Sequence, residues 1–254
     1  MRRIAPAYCS ESLRRVLIEK QAKLDADMSE VDKMWKAFTK TVAYENLCDC
    51  LAEPLGLRRR CAYCSDSRAA DVEHFWPKKP YPSMAFDFQN LLFICPECNR
   101  KKTSRFPLDG AGLPLLINPM FDDPWDSLFF IPSTGMIAPR IYTVVDGAPM
   151  RSARGEQTIA FFGEILNSDG LLSARRDSWL EIVSQLRDTL ESTDPLPACQ
   201  YDLFGDRDVF GLGEFLLNRE GKEDPTVRAL RQESPERWSA LRDKQRFPPR
   251  ASAE

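Results

Sequence analysis

The chain has 254 residues, 43% of them hydrophobic and 29% charged. That length and balance allow one large domain or two small ones around a buried core, and they exclude an intrinsically disordered chain. No apolar run approaches the roughly 18 residues that a bilayer span requires. Met1-Arg2-Arg3 is not followed by the apolar stretch of a secretory signal. The expectation is therefore a chain with no membrane association, located in the cytoplasm.

The net charge of −3 argues against nucleic acid when taken as a whole. Its distribution does not: from Leu55 to Arg105, ten Lys/Arg against five Asp/Glu give a local +5 and leave −8 elsewhere. Such a segment is either an electrostatic footprint for phosphate or an ordinary solvated charged face.

In chain order, residues 1–55 form a helical arm. Leu13, Val16, Leu17 and Leu24 fall near one helical face behind a Ser10 cap, and Val31, Met34, Trp35, Phe38 and Val42 repeat at helical spacing after Ser29. Glu53-Pro54-Leu55-Gly56 ends the pattern. Residues 56–108 change character and hold the chemistry. Residues 109–254 are read as a mainly helical C-terminal region. The stretch Leu108 to Pro149 is rich in Pro and Gly, with Ile131-Pro132 and Ile141 to Val145 as candidate extended segments. Helices are expected over Thr158 to Leu166 and over Leu171 to Leu190, the latter burying Trp179, Val183, Leu186 and Leu190. Further helices are expected over Asp208 to Leu217 and Pro235 to Lys244, before a frayed tail at 248–254.

Eight cysteines occupy positions 9, 48, 50, 61, 64, 95, 98 and 199. In a reducing compartment they do not suggest a disulfide framework. Cys61-Ala62-Tyr63-Cys64 and Cys95-Pro96-Glu97-Cys98 form two CxxC pairs separated by 30 residues. Two such pairs can complete a tetrahedral thiolate site for Zn²⁺, closed to water and therefore structural. The alternatives are redox pairing or coincidence.

The insert between the pairs carries Asp71-Val72-Glu73-His74-Phe75-Trp76-Pro77-Lys78 and then Asn90-Leu91-Leu92-Phe93-Ile94, with Asn99-Arg100-Lys101-Lys102 after the second pair. Strand alternation turns Asp71 and Glu73 to one face and His74 to the other, so a bend or an adjoining element is needed to join them. A histidine with an ordinary pKa near ~6.5 can accept a proton at neutral pH. Oxygen donors from Asp, Glu and Asn suit Mg²⁺ or Mn²⁺ better than zinc. Lys101 and Lys102 are candidate phosphate contacts. Each residue also has a plainer reading: Asp71 as a solvated strand residue, Asn90 as a turn former, Lys101 and Lys102 as a solvated helix end.

This ordered set resembles the HNH endonuclease superfamily, whose pattern runs zinc CxxC, acid-His with Pro shortly after, Asn-Leu, CxxC-Asn and a nearby Lys. The resemblance implies an α+β chain with a small ββα-metal core and a four-cysteine zinc knuckle, embedded in mainly helical N- and C-terminal regions. It implies His74 as the general base, Asn90 as the residue orienting it, and Glu73 and Asn99 as ligands of the catalytic divalent metal. Asp71 stands where some members carry a second acid beside that metal. Outside the core, Met1-Arg2-Arg3-Ile4, Phe106-Pro107-Leu108, Asn118-Pro119, Asp123-Pro124, Gln157-Thr158-Ile159, Leu166-Asn167 and Arg175 are similar to the retron-associated and Septu-type (PtuB-like) HNH proteins. Ser65 departs from them, since an acidic residue often follows the knuckle there.

That narrower resemblance implies the nuclease effector of an antiphage defence system, acting on nucleic acid with DNA favoured over RNA. Its partner would be an ABC-type ATPase subunit (PtuA-like), docked on the helical terminal regions. The chain itself has no GxxxxGK[ST] loop. Two other readings stand beside this one: a stand-alone restriction- or homing-type HNH enzyme, and a non-catalytic zinc-knuckle binding module.

Overall fold

The computed structural model describes residues 1–5, 7–145, 147–197, 203–204 and 208–244. Cys199 and the tail expected at 248–254 lie outside them. The chain is mixed α+β and resolves into two compact units. One is Ile4–Met120; the other joins Met1–Arg3 to Phe121–Glu254.

In the first unit, α1 (Glu11–Asp25) begins where the Ser10 hydroxyl accepts from the Leu13 backbone N–H at 3.3 Å. It buries Leu13, Leu17 and Leu24, while Val16 at the margin of that face is only half-buried. The apolar repeat after Ser29 does not make one helix, as its spacing predicts, but two. α2 (Val31–Phe38) buries Val31, Trp35 and Phe38 and then stops. Thr41, in extended conformation, caps a new helix, α3 (Val42–Ala52), by accepting from Tyr44 N–H. A local side-chain bond of this kind competes with helix continuation. Val42 consequently lies outside the buried face, 70% exposed. A single 3-10 turn, Glu53–Leu55, and Gly56 at φ 79° then reverse the chain, a conformation that favours glycine.

Two short strands follow, β1 (Asp71–His74) and β2 (Leu91–Ile94), paired antiparallel with Asp71 opposite Ile94 and His74 opposite Leu91. Every residue of β2 is buried, whereas β1 alternates half-buried and buried. A strand buried along its whole length needs cover on both faces. α4 (Pro96–Lys102) contacts β1, and α3 contacts β2.

The second unit holds two hairpins, β3 (Leu128–Ile131) with β4 (Met136–Pro139) and β5 (Ile141–Val145) with β6 (Ala148–Arg151). Two helices follow, α5 (Ala153–Leu166) and α6 (Asp169–Glu191). β3 stops at Ile131, directly before Pro132, which has no ladder donor. Gly135, at φ 77°, lies so close to α6 that a Cβ there would sit 2.0 Å from the Leu172 carbonyl oxygen. Among the described residues that come later are the helices α7 (Leu212–Asn218), α8 (Pro225–Glu233) and α9 (Pro235–Lys244). α7 starts later than the apolar pattern suggests because Gly211, at φ 71°, is its N-cap and Asp208 lies before it; the Asp208 carboxylate accepts from the first-turn Leu212 N–H at 2.6 Å and Gly213 N–H at 3.0 Å. α8 escaped the periodicity reading, although Asp224-Pro225 is a helix-start signature and Asp224 caps it.

The Thr41 cap is what separates α2 from α3. Thr41→Ala is expected to cost about 1 kcal/mol in urea unfolding of the full chain, with Thr41→Ser close to wild type. Equal stability of the alanine variant would show that the break has another cause.

Candidate functional site

The knuckle is built from two tight turns. Around the first pair, Cys61 N–H donates to Ser67 O at 2.8 Å and Ser65 N–H donates to Cys61 O at 2.9 Å, with Ser65 itself at φ 60°. Ala62 N–H donates to Phe93 O at 3.1 Å, which ties this turn to β2. In the second pair Cys95 is the N-cap of α4: its sulfur accepts from Cys98 N–H at 3.4 Å, and Pro96 takes the first helical position. The result is four buried Sγ atoms, all within 4.8 Å of one another.

This geometry fits a metal and not a disulfide. Cys64 Sγ and Cys95 Sγ are 3.9 Å apart, and the four cysteines are unbonded. A sulfur–sulfur bond measures about 2.0 Å. A tetrahedron with Zn–S bonds of about 2.3 Å has edges of about 3.8 Å. Four crowded sulfurs cannot all keep their ordinary protonation: Cys64 and Cys95 are held below the usual thiol range by hydrogen bonds from neighbouring cysteines, while burial pushes the Cys61 thiol up. The cluster could hold a zinc ion.

α4 then carries its inward face across β1. Cys95, Cys98, Asn99 and Lys102 follow the i, i+3, i+4, i+7 spacing of one helical face. Asn99 Nδ2 donates to Asp71 Oδ2 at 3.0 Å. Lys102 is fully buried, and its ammonium donates to Glu73 Oε1 at 2.8 Å and to the His74 carbonyl at 2.8 Å. The Lys102 Nζ also lies 5.6 Å from the centre of the Phe106 ring. Burial pushes the Glu73 carboxyl up, opposed by the nearby Lys102 charge; burial pushes Lys102 down, opposed by Glu73. Asp71, Glu73, Asn99 and Lys102 are therefore brought together, with Asp71 and Glu73 on the same strand face.

His74 is on the other face. Alternation along β1 points it inward, where it is 4% exposed. Its ring stacks edge-on against Trp35 of α2, centroids 4.3 Å apart at 68°. Nε2 lies 2.9 Å from the Ala85 carbonyl oxygen. A carbonyl only accepts, so Nε2 carries the proton and Nδ1 carries the lone pair. Burial pulls the imidazole down to about 3, so it is neutral. No hydrogen bond joins the ring to Asp71, Glu73 or Asn99 among the described residues.

The loop that supplies Ala85 is held by Asn90 and by the N-terminal helices. Asn90 is 2% exposed. Its Nδ2 donates to Trp76 O at 3.0 Å and Met84 O at 2.9 Å, and its Oδ1 accepts from Trp76 N–H at 2.7 Å. Asn90 thus touches the loop backbone and not the imidazole. From α1, Gln21 Oε1 accepts from Phe86 N–H at 3.0 Å, and Gln21 Nε2 donates to Pro82 O at 3.2 Å. Gln21, Trp35 and the Ala85 carbonyl were missed in the sequence because none has a local signature. Lys102 had one: its spacing from Cys95, Cys98 and Asn99 places it on the inward helical face.

The geometry defines a ββα unit with a four-cysteine cluster at one end, and residues 61–105 match the HNH endonuclease family. The segment is an HNH endonuclease domain. Two relatives are similar to the chain. A Septu protein PtuB of Bacillus thuringiensis is 39% identical over 70 residues, 26% of this chain and 26% of that protein. A Septu protein PtuB of Bacillus mycoides (strain KBAB4) is 33% identical over 108 residues, 31% of this chain and 36% of that protein. The chain thus spans about a quarter to a third of the length of these relatives. No helix among the described residues is long and apolar enough to cross a membrane.

Two outcomes follow from the geometry. Metal analysis of the purified chain is expected to find zinc that survives His74→Ala and is lost with Cys61→Ser; the reverse pattern contradicts the assignment of the thiolates. Because the chain contains one histidine, selective ¹⁵N-histidine labelling reports a single imidazole. In divalent-free buffer its spectrum is expected to show a neutral Nε2–H tautomer. Its folded pKa lies below the unfolded value of 6.5, so the ring contributes stability above that pH which is lost as pH falls toward 3. The signal should therefore stay neutral from pH 8 to 5; a titration near 6.5 contradicts the burial.

Proposed function

We propose that the chain is a metal-dependent HNH endonuclease that hydrolyses phosphodiester bonds of nucleic acid, and that it is the nuclease effector of an antiphage defence system. The observation that carries the reading is the meeting of the Asp71–Glu73 face of β1 with Asn99 on α4, next to the thiolate cluster. The cluster is assigned to structural Zn²⁺, whose closed sulfur set leaves no place for water. Glu73 and Asn99, with Asp71 beside them, fit a second, harder ion: Asn99 spends its amide N–H on Asp71 and keeps its amide oxygen for a cation. When bound, Mg²⁺ or Mn²⁺ there supplies charge neutralisation for the scissile phosphate and its leaving oxygen.

His74 is the base in this reading. With Nε2–H donated to Ala85, Nδ1 is its one proton-accepting atom. A buried imidazole gives up its proton readily, and the anionic phosphate is the group that would raise its affinity for one. Asn90 acts through the loop: it holds Met84 and Trp76, and thereby the carbonyl that fixes the tautomer. Lys102 holds β1 to α4 and balances Glu73, so in this reading the phosphate contact falls to Lys101 on the same helix.

The defence role and an ABC-type ATPase partner (PtuA-like) rest on the similarity to the two Septu proteins. DNA is the favoured target over RNA, and the cytoplasm the favoured compartment. The non-catalytic reading draws on the 4% exposure of His74 and on its place on the strand face opposite Asp71 and Glu73. Cleavage of DNA and of RNA in Mg²⁺, with and without the ATPase, separates the two. His74→Ala is expected to lower the rate roughly 10²–10⁴-fold, and Glu73→Gln to remove the response to added Mg²⁺. Equal cleavage by wild type and His74→Ala removes His74 from the mechanism.

A further inference from the structure

Three aromatic rings outside the metal-binding set gather against it. Trp76 and Tyr81 lie 4.9 Å apart between centroids at 81°, Trp76 and Phe106 4.7 Å apart at 53°, and Tyr81 and Phe106 5.9 Å apart at 69°. The fourth ring, Phe75, packs on Phe106 at 5.2 Å and is buried, 4% exposed. Trp76, Tyr81 and Phe106 each keep part of their surface in solvent. The group is joined to the Asp71–Glu73 face through Lys102, whose ammonium lies 5.6 Å from the Phe106 ring centre and 2.8 Å from Glu73. It also lies in the stretch of local charge +5, with Arg105 directly before Phe106 and with Lys78 and Lys79 two and three positions after Trp76, the two lysines sharing the single carboxylate of Asp32 at 3.2 and 3.0 Å.

Phe75 is covered, while Trp76 is left partly open. The Trp76 backbone needs no help from its side chain, because Asn90 already holds both its N–H and its carbonyl. Partly exposed rings in a basic setting are the means by which proteins hold unpaired bases, since every base has a π-face while the phosphates are met by cations. A base inside a duplex is already stacked on both sides and cannot use them.

We infer that Trp76, Tyr81 and Phe106 form a stacking platform for an unpaired nucleobase close to the scissile phosphate, so that the preferred ligand is single-stranded nucleic acid. This rests on the nuclease reading above for the position of the phosphate. It assigns to Trp76 the main contact, with Tyr81 and Phe106 holding its ring.

The test is binding of fluorescein-labelled single strands of about 12 nucleotides, one of DNA and one of RNA, and of a duplex of the same sequence. The full chain is used, with Ca²⁺ in place of Mg²⁺. A single abasic site is moved along each strand. Trp76→Phe keeps a π-face, and Trp76→Leu keeps apolar volume without one. On at least one type of strand, binding is expected to weaken roughly 5- to 150-fold in Trp76→Leu and at one abasic position in wild type, with Trp76→Phe near wild type and the duplex unaffected. In Trp76→Leu the abasic position should cost nothing further. Equal loss in the Leu and Phe variants, equal loss on duplex, or an abasic profile that is flat in wild type overturns the platform. If His74→Ala abolishes cleavage while the abasic profile is flat, catalysis stands and the platform falls. A position-dependent profile in a chain that cuts neither DNA nor RNA, with or without the ATPase, supports the platform and contradicts the nuclease.

Discussion

Four sulfur atoms within 4.8 Å of one another decide where α4 begins, and α4 decides what meets the outer face of β1. The helix has seven residues, Pro96–Lys102. Isolated helices shorter than about 12–15 residues are marginal in water, so its stability comes from what anchors it. Cys95 caps its first turn and Cys98 lies one turn on, both held to the Cys61–Cys64 turn, which is itself hydrogen-bonded to β2. Asn99 and Lys102 are carried on the same face as the two thiolates. Removing the cluster would release the residues that meet Asp71 and Glu73.

β1 separates two kinds of work. Its outer residues, Asp71 and Glu73, meet the amide and ammonium of α4, while its inner residues, Val72 and His74, face packed groups. The buried Glu73–Lys102 pair is costly to break from one side, because either partner alone would be an uncompensated charge out of water. On the inner side, Trp35 and the Ala85 carbonyl fix both the plane and the tautomer of the imidazole. The N-terminal helices therefore contribute to the His74 site itself: α2 supplies the ring that His74 rests on, and α1 supplies Gln21 to the loop that carries Ala85.

Much of this was legible in the sequence, for identifiable reasons. The two CxxC pairs and the Asp71-Val72-Glu73-His74 run are local, and local spacing determines both the sulfur cluster and the alternation that sends His74 inward. The Ser10 cap and the face of Trp179, Val183, Leu186 and Leu190 on α6 follow from side-chain chemistry and helical period. The break between α2 and α3 was hidden because Val42 continues the apolar spacing while Thr41 overrides it. Gln21 meets the loop across 65 positions of chain, and Trp35 meets His74 from another helix, so neither contact leaves a short-range trace. Asn90 read as a residue that orients His74; it touches instead the backbone of the loop that does so.

The central claim is a division of labour between two cation sites, sulfur for the scaffold and oxygen for the chemistry. Anomalous diffraction at the zinc and manganese edges, from crystals of the full chain soaked in Mn²⁺, tests it most directly. The account predicts two separate peaks, zinc among the Cys61, Cys64, Cys95 and Cys98 sulfurs and manganese at Glu73 and Asn99. Manganese among the thiolates, or no manganese at Glu73 and Asn99, would contradict it.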